Sequence, residues 1–316
     1  MTRYIIKRIL IAIPVLIGIT ILDYLLMSLA PGTPLQMMQG PHVSQAAVDI
    51  RAAQLGLNQP VYMQYFHWIS EILHGNFGYS ITTHLPVADM IASHIGPTLL
   101  LMGTSMVLGL MLAVPVGVYS ATHQYSKGDY TALTLSFLGT SIPGFFFSMI
   151  LIFIFTIKLN WLPSSGMSTL GMGGGALDII LHLAMPVTVL ATAMAGWNVR
   201  YIRSSMLEIL QQDYLRTAYA KGVKRFFVIN KHAMRNALVP IVTIIGMQIP
   251  ALLGGAVIIE QVFSWPGLGL LTMSAITSRD YPTIMAVSLL SAVLVLASNL
   301  ITDILYAIVD PTIQYQ

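Results

Sequence analysis

The side chains of this 316-residue chain that could do chemistry are few, and their spacing argues against catalysis. The chain has no cysteine, which removes disulfides, thiolate metal sites and a sulfur nucleophile. Five of its eight histidines, His42, His67, His74, His84 and His94, fall within residues 31–97, at separations of 25, 7, 10 and 10. None of these intervals sets two imidazoles three or four residues apart on one helical face, so solvated loop histidines are the plainer reading and no metal site is expected. No Ser/His/Asp or His/Glu grouping stands at usable spacing, so no catalytic residue is assigned. The glycine run "GMGGG" (171–175) lacks the following Lys-Ser/Thr that completes a phosphate cradle, so the chain is not expected to hydrolyse a nucleotide.

One cluster is dense enough to ask about. In "LRTAYAKGVKRF" (215–226), four cations, Arg216, Lys221, Lys224 and Arg225, crowd into twelve residues. Residues 200–235 hold ten charges in 36 positions, whereas the whole chain is only 9% charged. The plain reading is a basic loop that obeys membrane topology and touches anionic lipid. Its patterning asks for more. Met206, Leu210, Tyr214 and Ala218 recur every four residues, which predicts one helix over about 204–220 with an apolar stripe. Ala218 and Ala220 keep its end thin, and Gly222 can adopt the left-handed conformation that ends a helix. A second helical pattern, with Phe226, Ile229, Ala233 and Ala237, follows at once. Two helices meeting at a glycine make a projection suited to docking a soluble protein. Neutralising Arg203, far from the turn, is expected to matter little.

The elements that position this cluster are membrane spans. The chain is 56% hydrophobic, and its 9% charge compares with about 25% in soluble domains. Six stretches near the ~20 residues a crossing needs run about 9–29, 98–121, 131–157, 182–199, 238–259 and 283–308. This predicts an all-α integral membrane protein with six transmembrane helices. It divides into an N-terminal span (1–30), an outer loop (31–97) with an amphipathic helix near 64–73, and a five-helix core (98–316) carrying the basic loop 200–237. With the N-terminus inside, 12 of the 15 Lys and Arg are inside and only Arg51, Lys158 and Arg279 outside, so both termini are expected to be cytoplasmic.

"DYLRTAYAKG" followed by "HAMRNALVP" resembles the EAA loop of ABC importer permeases, in the form found in the dipeptide/oligopeptide/nickel group. "LAPGTPL" (29–35), "LGLNQPVYMQYFHWI" (55–69), "GNFGYS" (75–80), "SIPGFF" (141–146), "WLPSSG" (161–166), "VFSWPGLG" (262–269) and "DILYAIVDPTI" (303–313) extend the resemblance to that group's B-type permease over nearly the whole chain. Arg216, Thr217 and Ala218 stand where the general pattern has Glu-Ala-Ala, which is usual in the peptide group. Arg235 replaces a proline, and Thr33 and Asn76 replace common aspartates.

The resemblance implies a type I importer permease forming half of a pathway. It implies as partners a homologous C-type permease, two ATP-binding subunits that hold the ATP and Mg, and an extracytoplasmic substrate-binding protein, with lipid around them and no nucleic acid. This chain itself would hold no cofactor. The coupling positions carried over are Arg216, Thr217, Ala218, Ala220, Lys221, Gly222, Val223, Arg225 and Phe226. Candidate pathway or gate residues are Pro143 within span three, Gln248 in span five, and Phe263 and Trp265 just beyond it. Gly246, Pro250, Gly254 and Gly255 permit kinks and close packing in span five. Asp23 is read as snorkelling or facing the pathway, and Asp303 as capping or pairing with a cation. Nickel or another small solute is the alternative to peptide as cargo. A self-contained secondary carrier is the alternative class, disfavoured because the only acids found in spans, Asp23 and Asp303, lie near the ends.

Overall fold

Apolar stretches decide where this chain is helical, and prolines and glycines decide where the helices break. The computed structural model describes residues 2–29, 58–169, 171, 175–254 and 256–309. His42, Arg51, Gly255, "LAPGTPL" after Leu29, most of "GMGGG" and the chain after Val309 lie outside the described residues. The helices are α1 (Thr2–Leu29), α2 (Val61–Leu73), α3 (Val87–Thr122), α4 (Lys127–Ser141), α5 (Gly144–Leu151), α6 (Ala176–Leu210), α7 (Asp213–Ala220), α8 (Arg225–Phe227), α9 (Met234–Gly254), α10 (Val257–Val262), α11 (Leu268–Thr277) and α12 (Tyr281–Val309). Two π-helical stretches, Ile152–Lys158 and Val228–Ala233, extend α5 and join α8 to α9. Among the described residues no strand forms, only an isolated bridge between Tyr79 and Pro86.

Five helical segments are long and apolar enough to cross a membrane alone: Ile6–Leu29, Val87–Thr122, Ala176–Leu210, Arg225–Pro250 and Tyr281–Ile304. The pair Lys127–Ser141 and Gly144–Lys158, bent by 97°, makes the sixth crossing if it counts as one span. The continuous span expected over 131–157 is therefore broken. Ile142 is extended at ψ 122°, because the ring of a following proline excludes the residue before it from helical space. Pro143 then stands at the corner of the bent pair and caps the start of α5. The fifth span ends at Gly254 instead of running to 259. Ala256 leaves helical geometry at ψ 70° beside a Gly-Gly pair that holds a helix weakly.

Two helices are longer than hydropathy suggested, α3 starting at Val87 rather than 98 and α6 spanning 176–210 rather than 182–199. Their extra turns carry polar residues that are satisfied locally. The His94 ring bonds the Met90 carbonyl at 2.6 Å, and Asp178 accepts from the Thr169 amide and hydroxyl at 2.7 Å each.

Small residues make the spine. Gly109, Ala113 and Gly117 recur every fourth residue on α3 and are buried, and the two glycines face Ala191, Met194, Val199 and Ile202 of α6. That spacing lets two backbones approach closely. α4 lies along α6, α9 along α12, and α1 rests on the outside of α12. α1 shows Leu10, Ile13, Leu22 and Leu25 to its surroundings, as a lipid-facing helix does. Asp23 does not snorkel: it accepts a 2.6 Å hydrogen bond from Ser288 of α12. Asp303 pairs with Arg8 at 3.1 Å. α2 sets Tyr65 and Trp68 against Tyr24 of α1, with ring centroids 5.7 and 5.8 Å away.

Candidate functional site

The helices alternate in direction, so the bundle has two ends. One, the basic end, gathers Arg8, Lys127, Arg203 and residues 211–235. The other carries residues 75–86, 160–169 and 256–280.

At the basic end the single helix expected over 204–220 is two helices. α6 stops at Leu210, Gln211 and Gln212 break it, and α7 begins at Asp213. The break resets the apolar register. Met206 is fully buried, but Leu215 takes the anchoring place predicted for Tyr214, which is exposed and accepts from the Asn236 amide. Met206, Leu215, Val228, Ala233, Ala237 and Ala121 form one buried cluster beneath α7. The interval from Val228 to Ala233 is five residues, the hydrogen-bond span of the π-helical turn between them. That turn keeps Val228 and Ala233 inside and leaves Phe226, expected on the packed stripe, 68% exposed.

Gly222 is left-handed, φ +76°. Its amide bonds the Tyr219 carbonyl at 2.9 Å, and the Val223 amide bonds the Ala218 carbonyl at 3.2 Å. These are the two bonds of a Schellman ending, and Val223 and Ala218 pack in the same cluster, as that ending requires. Arg216, Thr217, Ala220, Lys221, Gly222, Arg225 and Phe226 are exposed, while Ala218 and Val223 are half-buried. Phe226 and Phe227 meet edge to face with centroids 5.7 Å apart, and both stand out from the surface.

The elbow is tied to the α3–α4 corner from both sides of α7. Arg225 donates to the Thr122 carbonyl at 2.7 Å. Arg203 grips Asp129 with two bonds of 2.8 Å, and Asp129, 1% exposed, also accepts from Ser120 and from the Tyr125 amide. Arg203 is thus part of the frame, contrary to the expectation that its charge matters little. A fork on a carboxylate fixes orientation as well as distance.

The opposite end is held by buried acids. Glu260, fully buried, accepts from Thr98 at 3.2 Å, from the Leu270 amide at 3.0 Å and from the Ala256 amide at 3.4 Å. A side chain at Gly267 would overlap the Glu260 carboxylate and the Thr98 hydroxyl, so glycine is needed there. Asp280 accepts from Ser80, the Ile81 amide and Thr283, joining residues 80–81 to the start of α12. Phe263 and Trp265 are 2% and 0% exposed, and Trp265 donates to the Pro97 carbonyl at 2.9 Å. They are core residues of this loop. Between the two ends, Gln248 donates to Asn198 at 2.7 Å across α9 and α6.

Residues 113–315 match the family described as binding-protein-dependent transport system inner membrane component, and residues 1–102 match its N-terminal companion. The chain belongs to that family. The inner membrane component is 48% identical over its full length to the oligopeptide transport system permease protein AppB of Bacillus subtilis, all of which is covered. It is 39% identical, again with both chains covered completely, to the glutathione transport system permease protein GsiC of Escherichia coli K12. It shares its fold with a chain of the MetNI methionine ABC transporter in an inward-facing conformation. The TM-score is 0.56 at 17% identity, covering 70% of this chain and 96% of that one.

Four buried residues of this inner membrane component were not assigned a place from its sequence. Asp129, Asn198, Glu260 and Asp280 are each 0–1% exposed and each joins elements far apart in the chain. Glu260 could have been found as a lone acid in "VIIEQVF", directly before the turn-rich "SWPGLG". Asp129 carried the helix-start signal Ser126-x-x-Asp, whose amide donates to the Ser126 hydroxyl at 3.2 Å. Asn198 and Asp280 had no comparable local signal.

Proposed function

We propose that this inner membrane component is the permease subunit of an ATP-driven peptide importer, and that α7 with its Gly222 elbow is where a cytoplasmic ATPase subunit engages it. One observation carries the reading. A thin, exposed helix carrying Arg216 ends in a Schellman turn, is followed by Lys221, Arg225 and two protruding phenylalanines, and is backed by a packed apolar cluster. A segment that only satisfied the charge rule would need neither a buried underside nor projecting aromatics.

The proposed assembly has a second, homologous permease, two ATP-binding subunits and an extracytoplasmic binding protein. Both termini and the basic end face the cytoplasm, on the 12-to-3 cation asymmetry of the sequence. The names of the full-length relatives favour peptides over nickel as cargo. Membership in a binding-protein-dependent family favours this reading over a self-contained carrier. Glu260 and Asp280, buried acids beyond the two read in spans, do not restore the carrier, because backbone amides and hydroxyls already use their oxygens.

Coupling follows from the frame. Closure of the ATPase pair on ATP displaces α7. Arg203 lies before α7 in the chain and Arg225 after it, and both hold the α3–α4 corner, so the corner moves with α7 and carries α3 and α4 along. The test is Gly222→Glu in the assembled transporter. Co-purification of the ATPase subunits, or the stimulation of hydrolysis by peptide-loaded binding protein, should fall while insertion stays normal. Wild-type levels of both would reduce the basic loop to a topology signal.

A further inference from the structure

α6 and α9 bring two primary amides together. Gln248 of α9 donates through Nε2 to Oδ1 of Asn198 on α6 at 2.7 Å. Two such groups can exchange a second, reciprocal bond, but that one is not made. Asn198 Nδ2 and Gln248 Oε1 are buried without partners, and they are two of only three such side-chain atoms among the described residues. Asn198 is 0% exposed and Gln248 half-buried. An unpaired amide donor and an unpaired acceptor, side by side and out of water, are costly unless another partner completes them.

Beside the pair lies a cavity of about 350 Å³ lined by Ala193, Met194, Trp197, Ile244, Met247 and Gln248. Trp197 and Met247, 52% and 62% exposed, form its apolar rim, and Tyr201 stacks on Trp197. The cavity is open on the surface of the bundle.

We infer that the Asn198–Gln248 amide pair is a peptide-main-chain site on the translocation path. In an extended peptide, the N–H and C=O of one residue point to the same side, as they do in a hydrogen-bonded strand pair. Gln248 Oε1 would accept that N–H, and Asn198 Nδ2 would donate to that C=O. Recognition through these atoms is blind to the cargo's side chains, while Trp197 and Met247 supply an apolar wall to whichever side chain passes. In the state described here the two atoms are shut off from solvent, so the site is available only when α6 and α9 part. The inference deepens the peptide-importer reading and rests on it.

The experiment uses the whole transporter in proteoliposomes, with saturating loaded binding protein. Its probes are trialanine and trialanine N-methylated on its second residue. Wild type should move the N-methylated peptide about tenfold more slowly, the loss of one buried hydrogen bond. In Asn198→Leu/Gln248→Leu, which removes both amides and so both hydrogen bonds, trialanine should slow about a hundredfold and the two peptides should converge. Gln248→Met keeps the length and removes the acceptor, and it should show the same convergence should the double variant fail to co-purify with its partners. Equal wild-type rates for the two peptides overturn the inference. So does a variant that transports trialanine normally, or one that slows both peptides alike and leaves their ratio unchanged, as lost packing would. A wild type that imports neither peptide overturns the importer reading itself, and the inference with it.

Discussion

The two ends of the bundle are built on opposite plans. At the end that carries residues 256–280, the acids Glu260 and Asp280 and the aromatics Phe263 and Trp265 are buried, and backbone amides and hydroxyls are the donors to the acids. Glu260 and Asp280 tie segments more than 150 residues apart in the chain, to Thr98 and Ser80 respectively. At the basic end the charges and the aromatics of the elbow are outside, and burial is left to small aliphatics beneath them. The first plan fixes a shape using only the chain itself. The second leaves hydrogen-bonding groups and apolar area unsatisfied at the surface, which is what a segment that meets another protein must do. The comparison also has an exception that sharpens it. Asp129 with Arg203 is a buried-acid device of the first kind placed under the basic end, so the exposed elbow stands on a rigid footing.

The largest effect should come from the self-sufficient end. Glu260→Ala leaves the Leu270 and Ala256 amides and the Thr98 hydroxyl without their acceptor. With each orphaned group worth about 1–3 kcal/mol, a loss of roughly 4 kcal/mol is expected. Glu260→Gln keeps one acceptor oxygen and should lose less than half of that. Thermal unfolding of the purified transporter in detergent reads both. Equal melting temperatures for wild type and Glu260→Ala would show that the loop holds its shape without the carboxylate.

Next comes the footing. Arg203→Ala removes two charge-assisted bonds and strands Asp129, and about 3 kcal/mol is expected, the low end for breaking a buried ion pair because Ser120 and the Tyr125 amide still hold the carboxylate. Arg216→Ala, only thirteen residues on, removes an exposed contact with Asp213 and should leave the melting temperature unmoved. If the two arginines behaved alike, the distinction between the frame and the docking face would be wrong.

The Gly222 turn should come third. Its left-handed backbone is unfavourable to a side chain, but a Cβ there would meet no atom within 4 Å. Gly222→Ala should therefore cost about 1 kcal/mol through backbone strain alone. Gly222→Asn should cost less, since asparagine tolerates that conformation. The order Gly, Asn, Ala in melting temperature checks this, and an Asn variant no better than Ala would place the strain elsewhere.

These contrasts also explain what was legible in the sequence. The spans were legible because runs of apolar residues leave the backbone no choice inside a membrane. The Gly222 ending was legible because the left-handed turn selects glycine and the preceding alanines are good helix formers. The corner at Pro143 was visible as a proline, but hydropathy does not report that Ile142 must leave helical space, so the 97° bend was missed. The break at Gln211–Gln212 was hidden by a four-residue period that runs through it from Met206 to Ala218, although only tertiary packing chooses Leu215 over Tyr214. The acid staples were least legible. Each depends on donors distant in the chain, and a single acid in an apolar run names no partner.

The smallest effect on the fold is expected at Phe226, and it is the most informative about the basic end. Phe226 is 68% exposed and touches Phe227 edge to face, so Phe226→Ser removes little that the chain uses to hold itself together. Exposed replacements of that kind usually leave stability within about 0.5 kcal/mol. An aromatic that anchors in a partner's pocket behaves differently, since truncating it costs about 2 kcal/mol or more of binding. Melting of Phe226→Ser should match wild type, while the amount of ATPase subunit retained on purification should fall at least tenfold. Phe227→Ser, 52% exposed on the same edge, should follow it with a smaller loss. If ATPase retention were unchanged in both, the aromatics would be serving lipid at the membrane surface. A drop in melting temperature that accompanied the loss of retention would instead place Phe226 with the buried cluster beneath α7, and the two ends of the bundle would no longer differ in the way described.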